Sequence, residues 1–315
     1  MDKSEAPILF VRLRAKNSAR IENIDQWAYN RQNTFIPIKD IFVYNFDYLK
    51  IFSLFLNFYL FNHLFMNISI KDPLFCNETG RRKNNEDYIF PTPGIATDTC
   101  RLFLVCDGMG GHEDGELASQ TVAESIAGYW LSNNQQPDNA QKVDHAIAAA
   151  IYQMDRLVKD SKGNANMGTT MTLAGIGKET ILVAHVGDSR IYQIRPGLGI
   201  VYQSKDHSLV QTWVDAGLLT PEEARNHPKS NIITQVIQPG GMETIHPEVV
   251  VIKDIKNGDY LFLCTDGVTE SIDDPLLVEI LSGQASDNEK MDSIKQICQE
   301  NSRDNYSAYL IPLVL

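Results

Sequence analysis

The chain has 315 residues, 43% of them hydrophobic and 22% charged, with a formal net charge of -12. That composition is ordinary for a globular protein, and the length suits one large domain or two small ones around a real core. The acidic balance argues against general nucleic-acid binding, which needs a basic footprint, and fits a protein that clusters carboxylates around cations.

The five cysteines, Cys76, Cys100, Cys106, Cys264 and Cys298, are odd in number and never spaced Cys-x-x-Cys. A disulfide framework and a thiolate zinc site are therefore not expected, and a reducing cytoplasm is the simplest compartment. Residues 1–40 mix polar and apolar positions without period and lack the basic start and apolar core of a secretory signal.

From Ile51 to Ile70 there is no Asp, Glu, Lys or Arg, and Phe, Leu and Tyr dominate. The length approaches the ~20 residues that cross a bilayer. Ser53, Asn57, Asn62, His63, Asn67 and Ser69 interrupt the run, so an apolar helix or strand packed on the domain is expected first. A membrane anchor through residues 41–70, or a poorly structured extension ending near Met66, are the other readings. The expected organisation is an N-terminal extension over 1–65, apolar from about 41, and a domain over 66–315.

After residue 66, apolar runs of strand length follow at Arg101–Cys106, Met171–Ile176, Ile181–His185, Ile191–Ile194, Val249–Ile252 and Tyr260–Cys264. Between the first two lie two helical patterns. Val122, Ile126 and Trp130 fall four apart, and Val143, Ile147, Ile151, Met154 and Val158 keep a 3–4 spacing. A further helix is expected around Met291–Cys298. Two helices in succession break βαβα alternation, so a layered α+β fold is expected rather than a doubly wound parallel sheet. Residues 205–241 read as a polar insertion, in which Thr220-Pro221-Glu222-Glu223 starts a helix with Thr220 as N-cap.

Two apolar runs end alike: Leu102 to Cys106 leads into Asp107-Gly108, and Leu261 to Thr265 into Asp266-Gly267. Each strand would hold its carboxylate rigidly, and each glycine would let the backbone turn or come close to a ligand. A third acidic cluster, Asn84 to Asp87, follows Arg81-Arg82, and Asp304 precedes the terminal apolar run. Acids at four loop or strand ends suit hard divalent cations, which take oxygen ligands. No phosphate loop is present, since Gly175-Ile176-Gly177-Lys178 runs into Glu179, and there is no G-x-G-x-x-G, H-E-x-x-H or G-x-S-x-G.

Seven segments then occur in one order: Arg82 to Asp87, Asp107 to His112, Met167 to Thr170, His185 to Arg190, Lys205 to Leu209, Thr265-Asp266-Gly267 and Asp304-Asn305. The series resembles that of the PPM/PP2C-type metal-dependent protein serine/threonine phosphatases, in their bacterial form, over residues 68–312. The resemblance implies a four-layer α-β-β-α sandwich of two antiparallel sheets flanked by helices. It implies two divalent cations, Mn²⁺ or Mg²⁺, that activate a water against phosphoserine or phosphothreonine, and it leaves a third cation open. Asp107 would bridge the two cations, Asp266 and Asp304 would hold the first, and Glu86 with the Gly108 carbonyl the second. Asp87 would orient the water network, and Arg82 would bind the substrate phosphate through its fork of donors.

The same resemblance makes phosphorylated proteins, made by a serine/threonine kinase, the expected partners, and residues 205–241 a flap beside the site. Gly187 to Arg190 and Gly168 to Thr170 are read as structural ties. His112 is read as a loop histidine, since Met109 stands where some relatives carry a histidine after the first Asp-Gly. Asp160 is the nearest acid for a third cation. The competing reading is a catalytically inactive phosphatase-like binding or regulatory module.

Overall fold

The structure, a computed structural model, describes residues 27–29, 35–37, 67–110, 113–135 and 138–315. The expectations for His112 and for most of the apolar run over 41–70 fall outside these residues. The chain divides into two compact units, Met1–Phe65 and Met66–Leu315. In the first, β1 (Trp27–Tyr29) pairs antiparallel with β2 (Phe35–Pro37).

The second unit holds two antiparallel sheets. The strands are β3 (Ser69–Ile70), β4 (Leu74–Glu78), β5 (Asp87–Phe90), β6 (Leu102–Met109), β7 (Gly168–Thr169), β8 (Met171–Ile176) and β9 (Ile181–Val186), then β10 (Arg190–Arg195), β11 (Gly199–Gln203), β12 (Glu248–Ile252), β13 (Tyr260–Cys264) and β14 (Tyr306–Val314). One sheet runs β12-β9-β8-β6-β5, with β7 on the end of β6; the other runs β11-β10-β13-β14, with β3 and β4 sharing the far edge of β14. The end of the apolar run over 41–70 is thus a sheet strand, Ile70 standing opposite Leu313. Among the described residues no helix is long and apolar enough to cross a membrane.

Alternation along the central strands makes the layers. Leu102, Leu104 and Cys106 of β6 face α1 (Glu113–Ser132) and α2 (Ala140–Lys159), while Phe103 and Val105 face the other sheet. On β13, Leu261 and Leu263 point between the sheets, and Tyr260, Phe262 and Cys264 point towards α6 (Asp274–Ser282) and α7 (Asp287–Asn301). Strands buried on both faces read as continuous apolar runs, which is why these two were legible. The result is the four-layer α-β-β-α sandwich.

The helices are held by their apolar stripes more than by propensity, because isolated helices of this length are marginal in water. In α2, Val143, Ala146, Ile147, Ala150, Ile151 and Met154 are all buried, and each large side chain among them contributes about 1.5–3 kcal/mol. Asn139 caps it by accepting the Lys142 N–H.

The two similar Asp-Gly sequences end their strands differently. β6 continues through Asp107 and Gly108 to Met109, because β7 pairs Thr169 with Gly108 and Gly168 with Met109. β13 stops at Cys264, and Asp266 instead opens the short α5 (Asp266–Thr269). There a Cβ on Gly267 would lie 1.9 Å from the Asn305 carbonyl oxygen, so only glycine lets α5 start against that turn.

Residues 205–241 carry α3 (Leu209–Asp215) and α4 (Pro221–Arg225). Thr220 and Glu223 form a capping box with Pro221 in the first turn, as the sequence indicated. Several ties hold the segment to the domain, three of them along its length. Arg190 grips Asp206 through two bonds of 2.7 Å, Thr169 exchanges backbone bonds with Ile237, and Arg225 donates to the Thr269 carbonyl at 2.7 Å.

Candidate functional site

The acids singled out in the sequence meet at one end of the sandwich. Asp107 stands opposite Asp87 in the β5–β6 register. Its backbone is clamped from both sides: Asp107 N–H donates to Thr170 Oγ1 at 3.0 Å, and its carbonyl accepts from Thr170 N–H at 2.9 Å and Thr169 Oγ1 at 2.8 Å. Thr170 Oγ1 lies 2.7 Å from Ser189 Oγ, so the tie expected of both segments is one hydroxyl pair that fixes the strand end carrying Asp107.

The loop with Arg82 and Glu86 is anchored by Asn305. Its Oδ1 accepts Glu86 N–H at 2.9 Å, and its Nδ2 lies within bonding distance of the Thr79 and Asn84 carbonyls, 2.8 and 2.9 Å. One amide side chain thus uses its oxygen and both its protons to join the loop to the turn that holds Asp304. Sequence reasoning gave Asn305 no role of its own, although it closes the last of the seven segments in the ordered series. The Glu86 carbonyl accepts Gly108 N–H at 3.1 Å and sits 2.6 Å from Ser119 Oγ of α1. The Glu86 carboxylate, which accepts Asn84 Nδ2 at 3.2 Å, lies against Gly115.

Asp87 is buried, with Oδ2 accepting from Thr265 Oγ1 at 3.0 Å. Asp266 Oδ1 is buried without a hydrogen-bond partner, as is Asp188 Oδ1. Arg82 is the cation at the rim: its guanidinium bonds the Asp304 carboxylate and raises its own pKa further through that contact, with its side chain 58% exposed.

Burial comes first in raising the acids. It lifts Asp107 well above the usual carboxylate range, and the charges of Asp87, Asp266 and Asp188 add to it. Asp87 is pushed up to about 8 by burial, against the bonds from Ser307 and Thr265. Asp266 rises to about 6 and Asp188 to about 8, burial again leading in both. Asp188 belongs with these acids, although the sequence pointed only to a strand tie. Asp160, in contrast, sits exposed at the C-terminal end of α2 and is not among the charges that bear on Asp107.

Carboxylates that raise one another, two of them with a buried oxygen lacking any donor, are neutralised either by protons or by bound cations, and cations let the cluster ionise at neutral pH. The donors are all oxygen, which suits a hard cation such as Mg²⁺ or Mn²⁺. An arginine at the rim of such a cluster can take a phosphate through paired charge-assisted bonds.

The family model for protein phosphatase 2C matches residues 79–297. The serine/threonine protein phosphatase PstP of Mycobacterium tuberculosis is 33% identical over 200 residues, covering 64% of this chain and 36% of PstP, so the chain spans about a third of that relative's length. The protein phosphatase PhpP of Streptococcus pneumoniae is 32% identical over 238 residues, covering 74% of this chain and 93% of PhpP. The crystal structure of the PstP catalytic domain with two manganese ions superposes with a TM-score of 0.65 at 28% identity, covering 79% of this chain and 100% of that one.

Proposed function

The chain belongs to the protein phosphatase 2C family, and we propose that residues 66–315 form a metal-dependent protein serine/threonine phosphatase acting on phosphoserine and phosphothreonine. The observation that carries the reading is the carboxylate cluster: Asp107, Asp266 and Asp304 meet the Glu86–Gly108 strand junction at one sheet end, with Arg82 at the rim. In this reading Asp107 would bridge two cations, Asp266 and Asp304 would hold one, and Glu86 with the Gly108 carbonyl would hold the other. Bound there, the cations lower the pKa of a water and neutralise charge on the phosphoryl oxygens. Arg82 exchanges its bond to Asp304 for the substrate phosphate and orients it. Asp87, held by Thr265, fixes the waters around the centre. Residues 205–241 are the flap, and their ties to Arg190, Thr169 and Thr269 set its place beside the site.

The proposed substrates are phosphoproteins made by a serine/threonine kinase in the cytoplasm. Mn²⁺ and Mg²⁺ both fit an oxygen donor set. The test is hydrolysis of a phosphothreonine peptide by the purified full chain. Activity should vanish in EDTA and return with Mn²⁺ or Mg²⁺. Activity that survives chelation, or a folded metal-loaded protein that hydrolyses nothing, overturns the reading.

Gly115 offers a second check. A Cβ there would lie 2.1 Å from Glu86 Oε2, so the carboxylate must move, whereas Gly→Ala inside a helix normally stabilises it by about 1 kcal/mol. Gly115→Ala should therefore weaken metal affinity by about 10–100-fold, the size of effects on ligand-orienting groups, without loss of thermal stability. Isothermal titration with Mn²⁺ and a melting curve measure the two effects. Unchanged affinity would remove Glu86 from the ligand set.

A further inference from the structure

Beside the carboxylate cluster, across Gly187 from Asp188, three other ligand-type side chains converge. His185 lies near the end of β9, His207 at the root of the 205–241 segment, and Glu248 at the start of β12, directly opposite His185 in the register. One potential ligand atom from each lies within 4.8 Å of the other two. Ligands bonded at 2.0–2.2 Å to a tetrahedral ion stand roughly 3.4 Å apart, so side-chain rotations of about an ångström close the gap.

His185 carries the argument. The residue is 1% exposed, and its Nε2 lies 2.6 Å from the Lys205 carbonyl oxygen. A carbonyl only accepts, so Nε2 holds the ring proton and Nδ1 presents a lone pair. That Nδ1 is buried with no hydrogen-bond partner. Leaving it so costs about 1–3 kcal/mol. A ring N–H given to a backbone carbonyl, with the other nitrogen bare, is how a metal-ligating histidine is held.

His207 stacks on His185 with ring centroids 4.5 Å apart and an interplanar angle of 24°. Its Nδ1 accepts the Gly187 N–H at 3.2 Å, the long end for such a bond, so its lone pair too is on Nδ1. Glu248 adds a half-buried carboxylate.

We propose that His185, His207 and Glu248 form a second metal site, which takes a borderline-soft divalent ion such as Zn²⁺ rather than the hard cations of the phosphatase centre. Two imidazole nitrogens and one carboxylate oxygen, with a fourth position for water, are a zinc donor set, whereas Mg²⁺ prefers an octahedron of oxygens. His207 exchanges its long bond from Gly187 for the ion. The ion then joins β9, β12 and the root of the flap. The site does not depend on the phosphatase reading.

The test uses the full chain, stripped of metal and saturated with Mg²⁺, then titrated with Co²⁺ as a visible probe. One Co²⁺ per chain should give the strong d–d bands of a four-coordinate ion, and Zn²⁺ should displace it. Glu248→Gln and His207→Asn should each weaken binding by about tenfold or more, and Asp107→Asn should leave the bands in place. No bands in a wild-type chain that circular dichroism shows to be folded would overturn the site. So would bands that survive both substitutions, or that disappear in Asp107→Asn. Because phosphatase activity is measured separately in Mg²⁺ alone, loss of either assignment leaves the other standing.

Discussion

Asp107→Asn should lower kcat for a phosphothreonine peptide by about 10³-fold or more at saturating Mn²⁺, with the fold intact. The backbone at 107 is held by Thr169 and Thr170, not by its own carboxylate, so the carboxamide stays where the carboxylate was. What changes is charge. The substitution removes one anion from a cluster proposed to share it between two cations, and metal stabilisation of transferring phosphate is worth several kcal/mol. A loss of about 4 kcal/mol is the 10³-fold given above. The metal-free variant should also melt above metal-free wild type, because Asp107 is crowded by burial and by the charges of Asp87, Asp266 and Asp188. A variant that keeps wild-type kcat at saturating metal would take Asp107 out of the centre. One that loses activity and also melts lower would make its role structural.

Much of this architecture was readable because β6 and β13 are buried on both faces and therefore uninterrupted in the sequence. The elements that escaped notice had physical reasons to. β5 begins with Asp87 and β4 ends with Asn77 and Glu78, polar residues that shorten the apolar runs by which a strand is recognised. β14 contains Pro312, which normally argues against a central strand. Its carbonyl accepts Lys71 N–H at 3.1 Å, so the side of Pro312 without a donor faces the break between β3 and β4, where no strand needs one. In the candidate site, the acids could be picked out because each follows a strand or a basic pair or, for Asp304, precedes the terminal apolar run. The roles of Asn305 and Gly115 could not: both act on Glu86, which is distant in sequence, and only the folded chain brings them together. Thr170 stood in a segment read as a structural tie, with no sign that Asp107 was its partner. Asp188 was overlooked for the opposite reason: Ser189 and Arg190 beside it do form the expected ties, and these obscured a carboxylate with one buried, unpartnered oxygen.

The same carboxylates predict how metal-free protein responds to pH. Unfolded aspartates titrate near 3.9, while the folded chain holds Asp266 to about 6 and Asp87 and Asp188 to about 8. Below the unfolded value both states are protonated, and nothing is lost. Above it the unfolded chain releases protons that the folded chain still binds, so stability falls as pH rises through the folded values. Melting temperature without metal should therefore decline between about pH 5 and pH 8. Mg²⁺ or Mn²⁺ should reverse the trend, because the ions bind the deprotonated cluster and so bind more tightly as pH rises. At 100 times the dissociation constant a ligand adds about 2.7 kcal/mol, which for a domain of this size is about 5–11 °C. Melting curves in EDTA and in metal, at pH 5, 6.5 and 8, give both slopes. A metal-free melting temperature that is flat or rises over that range would mean the folded acids are already neutralised by the chain itself. Arg82 would be the group to suspect, since among the described residues it is the cation that bonds an acid of the cluster, Asp304. Arg82→Ala should then restore the decline, and failure to do so would remove mutual repulsion from the account of the site.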